Sequence, residues 1–556
     1  MAGGILNLVA TGSQNVILNG NPDKTFFKTR YSKYTNFGLQ KFRIDFNGLR
    51  TLKLSEESNF TFKVPRYADL LMDTYIVITM PHIWSPIFPP SNSNLAWVPY
   101  EFQWIDNLGS QLIKEISITC GGQLLQKYSG SYIMNMVERD FTEEKKKIFY
   151  KMTGNIKEMN DPGNVENRSD TYPNAYYSSG ENGSYPSIFS RKLYIPINAW
   201  FTMNSKMAFP LVATQNSELH INITLRSIQE LFTIRDVEDN INNYPRICPN
   251  FNNLNHQFYR FLQTPPTIEI SDDNYENKQV LWNADIHLIG NYCFLSEDER
   301  RVFAAKDQNY LVKTIYEYKF NDIVGSKKVE LQTMGLVTNW MFHFQRNDIY
   351  LRNEWSNYTN WPYKYIPENV FLAETTLPEN YNFSEEKYED IITTGPGINV
   401  AAGDLTNIYI RGDFSNVNIK NILDEFGILF DGNYRENLQD FGIYNYVEKY
   451  SRSNGDSPDG LYCYNFSLNS SPYELQPSGA INMSMFNKIE FEITTHVPEL
   501  NEEAQVLTIC DNNNNIIAIN KPSWIIYDYT YDLHLYEERY NILTFTAGNC
   551  GYMYAR

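Results

Sequence analysis

Alternation between apolar and polar positions is the dominant pattern along this chain. From Glu218 to Arg226, Leu219, Ile221, Ile223 and Leu225 alternate with His220, Asn222, Thr224 and Arg226. Successive side chains of an extended strand point to opposite faces, so a period of two predicts a strand with one face buried. Asn309 to Phe320 alternates in the same way, and residues 335–355 carry an aromatic-rich strand with Trp340, Phe342 and Phe344 on one side. Tyr75 to Met80 is a short apolar run closed by Pro81. Leu112 to Thr119 leads into Cys120-Gly121-Gly122-Gln123, a hairpin turn signal, and Leu124 starts the return strand. Helical periodicity is confined to short stretches. Residues 130–151 place Ile133, Met136, Val137 and Phe141 on one face, and Ser296 to Glu299 has capping-box spacing ahead of Val302 and Phe303. The run Lys145-Lys146-Lys147 reads as a solvated helix face rather than an anion patch.

Between the strands lie two excursions. Residues 152–190 lose apolar periodicity and are rich in Asn, Gly, Ser, Tyr and Pro, which predicts a long exposed loop; residues 356–404 read the same way. Asn240 to Asn255 is rich in Asn and Pro and marks a boundary. The division that follows is an N-terminal arm (1–25), a first β-rich unit (26–227), a connector (228–279) and a second β-rich unit (280–556). Each unit offers about eight strand candidates, so periodicity shows two β-rich halves. No direct repeat is visible between the halves.

Composition agrees with a mostly β, turn-rich chain. Of 556 residues, 15% are aromatic, led by 41 Tyr and 33 Phe, and only 20% are charged. A net charge of −18 argues against a chain that coats nucleic acid. No apolar run reaches the ~18 residues of a membrane span, and residues 1–10 lack the basic and apolar regions of a signal peptide. Six cysteines are scattered without a CxxC pair, which suits free thiols in a reducing compartment and argues against structural zinc.

The N-terminal stretch departs from this acidic background. Residues 1–50 hold seven cations (Lys24, Lys28, Arg30, Lys33, Lys41, Arg43, Arg50) against Asp23 and Asp45. Phe26, Phe27, Tyr31, Tyr34, Phe37 and Phe42 are interleaved with them. Leu6, Val9, Val16 and Leu18 sit among glycines, so this arm is ordered only by packing on something else. It is either an edge strand with solvated Lys and Arg or an assembly arm.

This stretch resembles the N-terminus of the major capsid proteins of nucleocytoplasmic large DNA viruses. The matching residues are Gly3-Gly4, Leu8-Val9-Ala10, Gly12, Gln14-Asn15, Gly20-Asn21-Pro22, Thr25-Phe26-Phe27-Lys28 and Tyr34-Thr35-Asn36-Phe37. The resemblance continues through Pro196, Trp200-Phe201, Ala208, Pro210-Leu211, Ala213 and Gln215, then Phe294-Leu295, Glu299-Arg300 and Phe303-Ala304. It is clearest at Gly460-Leu461-Tyr462, Tyr464 to Leu468, Gln476 to Gly479 and Asn482-Met483-Ser484, and ends with Tyr540 to Leu543 and Gly548. Asn198, Ser217-Glu218 and Ala480 depart from the family pattern.

The resemblance implies an all-β fold of two tandem eight-stranded jelly-roll sandwiches with short helices and long surface loops. It implies a structural role: homotrimers forming pseudo-hexagonal capsomers that tile an icosahedral shell, in a virion assembled in the host cytoplasm. The expected partners are the chain itself and neighbouring capsomers, minor capsid proteins and an internal viral membrane, without direct genome binding. The arm residues on the capsid's inner side would be Lys24, Phe26, Phe27, Lys28, Arg30, Asn36 and Phe37. No catalytic, cofactor or metal residues are expected, because the seven His show no HxH, HExxH or paired metal spacing. His220 and His343 read as strand histidines, Asp511 to Asn515 as a hairpin turn rather than a calcium loop, and Arg411-Gly412-Asp413 as a strand end and turn rather than an attachment motif. A β-sandwich carbohydrate-binding or attachment protein is the alternative, with Tyr172 to Tyr177 as its aromatic cluster.

Overall fold

The computed structural model describes residues 2–46, 48–89, 97–169, 171–175, 184–239, 244–266, 274–361, 364, 372–374, 409–411, 419–498, 507–510, 516–520 and 529–554. The first sandwich is built from β1 (Phe37–Ile44), β2 (Ser58–Lys63), β3 (Leu70–Thr79), β4 (Ile113–Cys120), β5 (Gln123–Tyr128), β6 (Lys192–Pro196), β7 (Leu219–Leu225) and β8 (His287–Leu295). Hydrogen bonding arranges them as two sheets, β1-β8-β3-β6 and β2-β7-β4-β5. The second sandwich uses β9 (Gln308–Ile323), β10 (Ser326–Glu330), β11 (Leu336–Arg346), β12 (Leu423–Phe430), β13 (Asn433–Asp440), β14 (Leu461–Asn465), β15 (Ile489–Thr495) and β16 (Tyr531–Thr546). Its sheets run β9-β16-β11-β14 and β10-β15-β12-β13. The second order is the first with eight added to every strand, so the two sandwiches share one wiring.

Alternation works as the local code. In β7 the inward set Leu219, Ile221, Ile223 and Leu225 is buried and the outward set is half-buried. Phe60, Phe62, Ile116 and Ile118 join it in one core with Ile76, Ile78, Leu193 and Ile195 from the opposite sheet. The second core gathers Trp340, Phe342 and Phe344 with Phe426, Ile428, Phe491, Ile493, Leu533 and Leu535. Gly121 and Gly122 close the β4–β5 hairpin with φ of +58° and +83°, the left-handed pair that a two-residue hairpin demands.

The helical stretch is two helices, α1 (Gly130–Asp140) and α2 (Glu143–Thr153), broken at Phe141-Thr142. Ser129 caps α1 by accepting the Tyr132 N–H at 3.2 Å. The expected face, Ile133, Met136, Val137 and Phe141, is buried. A third helix, α3 (Glu297–Ala305), starts where the capping-box spacing put it, although Ser296 makes no side-chain cap bond.

Several boundaries differ from those read from the sequence. β8 lies between β1 and β3, pairing Phe37 with Leu295 and Val77 with His287, so residues 287–295 close the first sandwich rather than open the second. The stretch 228–279 packs more than it connects: Phe232 stacks on Phe102 at 4.4 Å, and Phe258 and Phe261 are buried beside it. Residues 152–169 and 171–175 are no exposed loop, since they form a helical turn at Lys157–Asn160 and bury Met159, Val165 and Tyr172. Tyr172 Oη donates to the Phe102 carbonyl at 2.6 Å, which removes it from any exposed aromatic cluster; residues 176–183 lie outside the described residues. Lys146 is not on a solvated face. It is buried on the Phe149 side of α2, with its ammonium 3.0 Å from Glu143 and bonded to the Asp456 carbonyl. Most of 356–404, together with Gly412-Asp413 and 511–515, lies outside the described residues; Arg411 ends a strand, and Leu507–Cys510 pairs with Ile516–Asn520 across 511–515.

A Cβ at Gly130 would overlap the carbonyl oxygens of Ser110 and Ile113, whereas one at Gly122 would meet open space. Gly130→Ala is therefore expected to lower unfolding free energy by ~3 kcal/mol through overpacking. Gly122→Ala, strained only by its positive φ, is expected to cost ~1 kcal/mol. Chemical denaturation of both variants checks the order.

Candidate functional site

The site that gives this molecule its shape is the seam between the two sandwiches. β11 is buried on both faces, and β16 is so from Leu535 to Arg539. On β11, Trp340, Phe342 and Phe344 enter the second core, while Met341 joins the cluster of the first sandwich. The face opposite the second core meets α1.

Arg139, at the end of α1, is 1% exposed. Its Nη2 donates to Glu538 Oε1 on β16 and to Asp140 Oδ2, each at 2.7 Å, and its Nη1 donates to Asn339 Oδ1 on β11 at 2.9 Å. Glu538 is saturated in turn, accepting from Tyr132 Oη at 3.0 Å and from Asn339 Nδ2 at 2.9 Å. Ser470 Oγ donates to Asp140 Oδ1 at 2.6 Å. Burial alone would raise the Glu538 carboxyl, but the Arg139 and Lys313 charges and the Asn339 hydrogen bond outweigh it and hold it at about 2. Burial pulls Arg139 down, and Asp140 and Glu538 more than reverse this. Both groups are ionised in the seam.

A second set lies one turn back on α1. Asn135 Oδ1 accepts from Tyr358 Oη at 2.8 Å, and its amide nitrogen lies 3.4 Å from His343 Nδ1. The His343 ring stacks on Tyr358 at 3.9 Å and on His534 at 5.1 Å. Burial, with His534 second, holds His343 well below its ordinary value, so it is neutral and its Nδ1 accepts from Asn135. These groups clamp α1 to the second sandwich: Tyr132, Asn135 and Arg139 of α1 bond to Glu538, Tyr358 and Asn339. Among the described residues no group of three or more His, Cys, Asp or Glu could hold a metal ion.

The arm is placed quite differently. Every residue from 2 to 41 is exposed. The arm forms helical turns at Ile5–Val9 and Val16–Asn19 that bury nothing. Lys24 lies over the Phe26 ring at 5.1 Å, and Phe27 is 98% exposed. Lys28, Arg30 and Asn36 are exposed, and Phe37 opens β1, an edge strand. The structure thus brings Lys24 and Phe26 together and leaves the other arm residues strung along an extended segment. Sequence reasoning missed the seam. Its only trace was charge where alternation and helical period demand apolar residues: Arg139-Asp140 beside Met136 and Val137, and Glu537-Glu538-Arg539 inside a strand.

Two eight-stranded sandwiches of identical wiring, joined side by side by a buried seam, define a double jelly roll. Residues 25–260 match the family model described as the major capsid protein N-terminus, and residues 299–551 match that of the large eukaryotic DNA virus major capsid protein. The chain belongs to this major capsid protein family. It is 26% identical over 356 residues to the major capsid protein of Chrysochromulina ericina virus, a match covering 60% of this chain and 55%, about half, of that relative. It is 23% identical to the major capsid protein of Paramecium bursaria Chlorella virus 1, over all of both chains. The Faustovirus major capsid protein superposes with a TM-score of 0.58 at 11% identity, covering 98% of this chain and 96% of that one, a likeness of fold.

Breaking the seam from one side leaves an uncompensated buried charge. Arg139→Met is expected to cost ~3–5 kcal/mol, and the triple variant Arg139→Met/Asp140→Asn/Glu538→Leu, which removes all three buried charges, to recover much of that, as read by urea unfolding. His343 binds a proton in the unfolded chain below about pH 6.5 but resists one in the seam, so it contributes stability above that pH that is lost on acidification. From about pH 7 to about pH 5, the wild type is expected to lose ~2 kcal/mol more than His343→Gln.

Proposed function

We propose that three copies of this chain form a capsomer of six sandwiches whose nearly hexagonal outline tiles an icosahedral shell. The observation that carries this is the offset-by-eight wiring. One chain presents two sandwiches of the same construction in a fixed relation, so a threefold assembly presents six similar walls. Closed rings of identical contacts are the economical way to build such a tile, and modest contacts summed over a shell suffice to hold it. Exposed Tyr446, Val447 and Tyr450, following β13, supply apolar surface on the second sandwich for neighbours.

The arm serves assembly rather than folding. Its aromatic and cationic side chains bury nothing within their own chain, and cation-rich aromatic segments suit an acidic protein surface or an anionic membrane face. We assign Lys24, Phe26, Phe27, Lys28, Arg30, Asn36 and Phe37 to contacts on the inner side of the shell, with minor capsid proteins or the internal membrane, during assembly in the host cytoplasm. The role is mechanical, with no chemical step, no cofactor and no direct contact with the genome.

Light scattering at micromolar concentration is expected to give the mass of three chains; a stable monomer would refute the capsomer. Deleting residues 1–25 is expected to leave the trimer intact and impair shell formation seen by electron microscopy. Loss of the trimer itself would overturn the assignment of the arm.

A further inference from the structure

The C-terminal hairpin of the second sandwich is latched onto the first. β16 reverses through Ala547 and Gly548, both at positive φ, into β17 (Asn549–Tyr552). This hairpin touches the β4–β5 hairpin and the turn before β7 on every side. The Gly548 carbonyl accepts the Asn216 N–H at 2.9 Å, and Ser217 Oγ donates to Asn549 Oδ1 at 2.9 Å. Tyr552 Oη donates to the Leu125 carbonyl at 2.6 Å, and a Cβ on Gly551 would stand 3.0 Å from Gln123 Oε1.

Cys550 sits between Asn549 and Gly551. Cys120 pairs with Gln123, the residue that Gly551 meets, across its hairpin, and on the other side with Leu219, two residues from the Ser217 that Asn549 meets. The two thiols are free, and Cys550 packs against the apolar cluster that holds Cys120. Cys120 is buried at 1% exposure, and Cys550 is only partly covered. The neighbouring Cys550 thiol draws the Cys120 thiol below its ordinary value, burial opposes this, and the Arg66 guanidinium reinforces it. Arg66 is held in place by the Gln215 and Ser217 carbonyls.

We propose that Cys120 and Cys550 are a disulfide-forming pair that staples the second sandwich to the first by exchange with an external disulfide. Cys550, the accessible partner, loses its proton to solvent base, and its thiolate attacks one sulfur of R–S–S–R, expelling RS⁻, which is protonated to R–SH. Cys120, beside Arg66, then loses its proton in the same way, and its thiolate attacks Cys550 Sγ and expels the second RS⁻, protonated in turn. One external S–S bond and two protein S–H bonds break; one protein S–S bond and two R–SH bonds form. The protein loses two electrons and the external disulfide gains them. The pair stays open in a reducing compartment and closes in an oxidising one. Because it joins Cys120 to Cys550, the closed loop spans about three quarters of the sequence, and a long loop is where a cross-link constrains the unfolded chain most.

The reduced full-length protein is equilibrated with oxidised glutathione, alkylated under denaturing conditions and mapped by mass spectrometry. The wild type is expected to lose two alkylatable thiols of its six and to yield a peptide pair joined through Cys120 and Cys550. Cys120→Ala is expected to accumulate glutathione on Cys550, and Cys550→Ser to leave Cys120 as a free thiol. The oxidised wild type is expected to melt about 5 °C higher, reversibly with dithiothreitol. Two thiols that remain alkylatable in the wild type, a lasting glutathione adduct on Cys550, or pairing with other cysteines would overturn the proposal. An unchanged or lowered midpoint in the cross-linked protein would overturn the stapling role.

Discussion

Two charges removed from water between separate apolar cores set the geometry of this molecule. Apolar contact alone is non-directional and would let two sandwiches slide or rotate against one another at little cost. The Arg139 guanidinium and the Glu538 carboxylate remove that freedom. Their desolvation is offset only when Asn339, Tyr132, Asp140 and Ser470 stand where they do, and these come from α1, β11 and the segment after β14. A small rotation of one sandwich would break several hydrogen bonds at once and leave the charges bare.

The strands that meet the seam therefore carry two duties. β11 and β16 sit in the middle of their sheet and show apolar side chains to the second core and polar, stacked ones to the first sandwich. The stacked Tyr358, His343 and His534 fill the seam without a charge, because burial keeps the imidazoles neutral. The two sandwiches are thereby fastened through buried strands rather than through surface loops. The arm is its opposite: residues 2–25 are all exposed.

Much of the fold could be read from periodicity, because a half-buried strand writes its exposure directly into alternation, as β7 and the β4–β5 hairpin do. Residues buried on both faces defeat that code, which is why β11 looked like a strand with one apolar side. The first sandwich's last strand was misplaced for a different reason. β8 lies sixty residues beyond β7, behind an Asn- and Pro-rich stretch that composition marks as a linker, and only non-local pairing with β1 assigns it. The buried Lys146 was hidden in a run of three lysines, since neighbouring residues on a helix face different directions and composition alone cannot say which one points inward. The arm residues were legible as a group through charge and aromatic content, while the seam was legible only as misplaced charge.

The wiring also dictates an order of events during synthesis. β1 finds its partner only when β8 leaves the ribosome, after about half of the chain has been made, so the first sandwich waits with an unpaired edge until then. The second repeats the delay, since β9 pairs with β16 near the very end. The nascent chain thus passes through two periods with open sheet edges. A partner that shields those edges, or slow initiation that keeps neighbouring nascent chains apart, would govern yield more strongly than the stability of the finished protein.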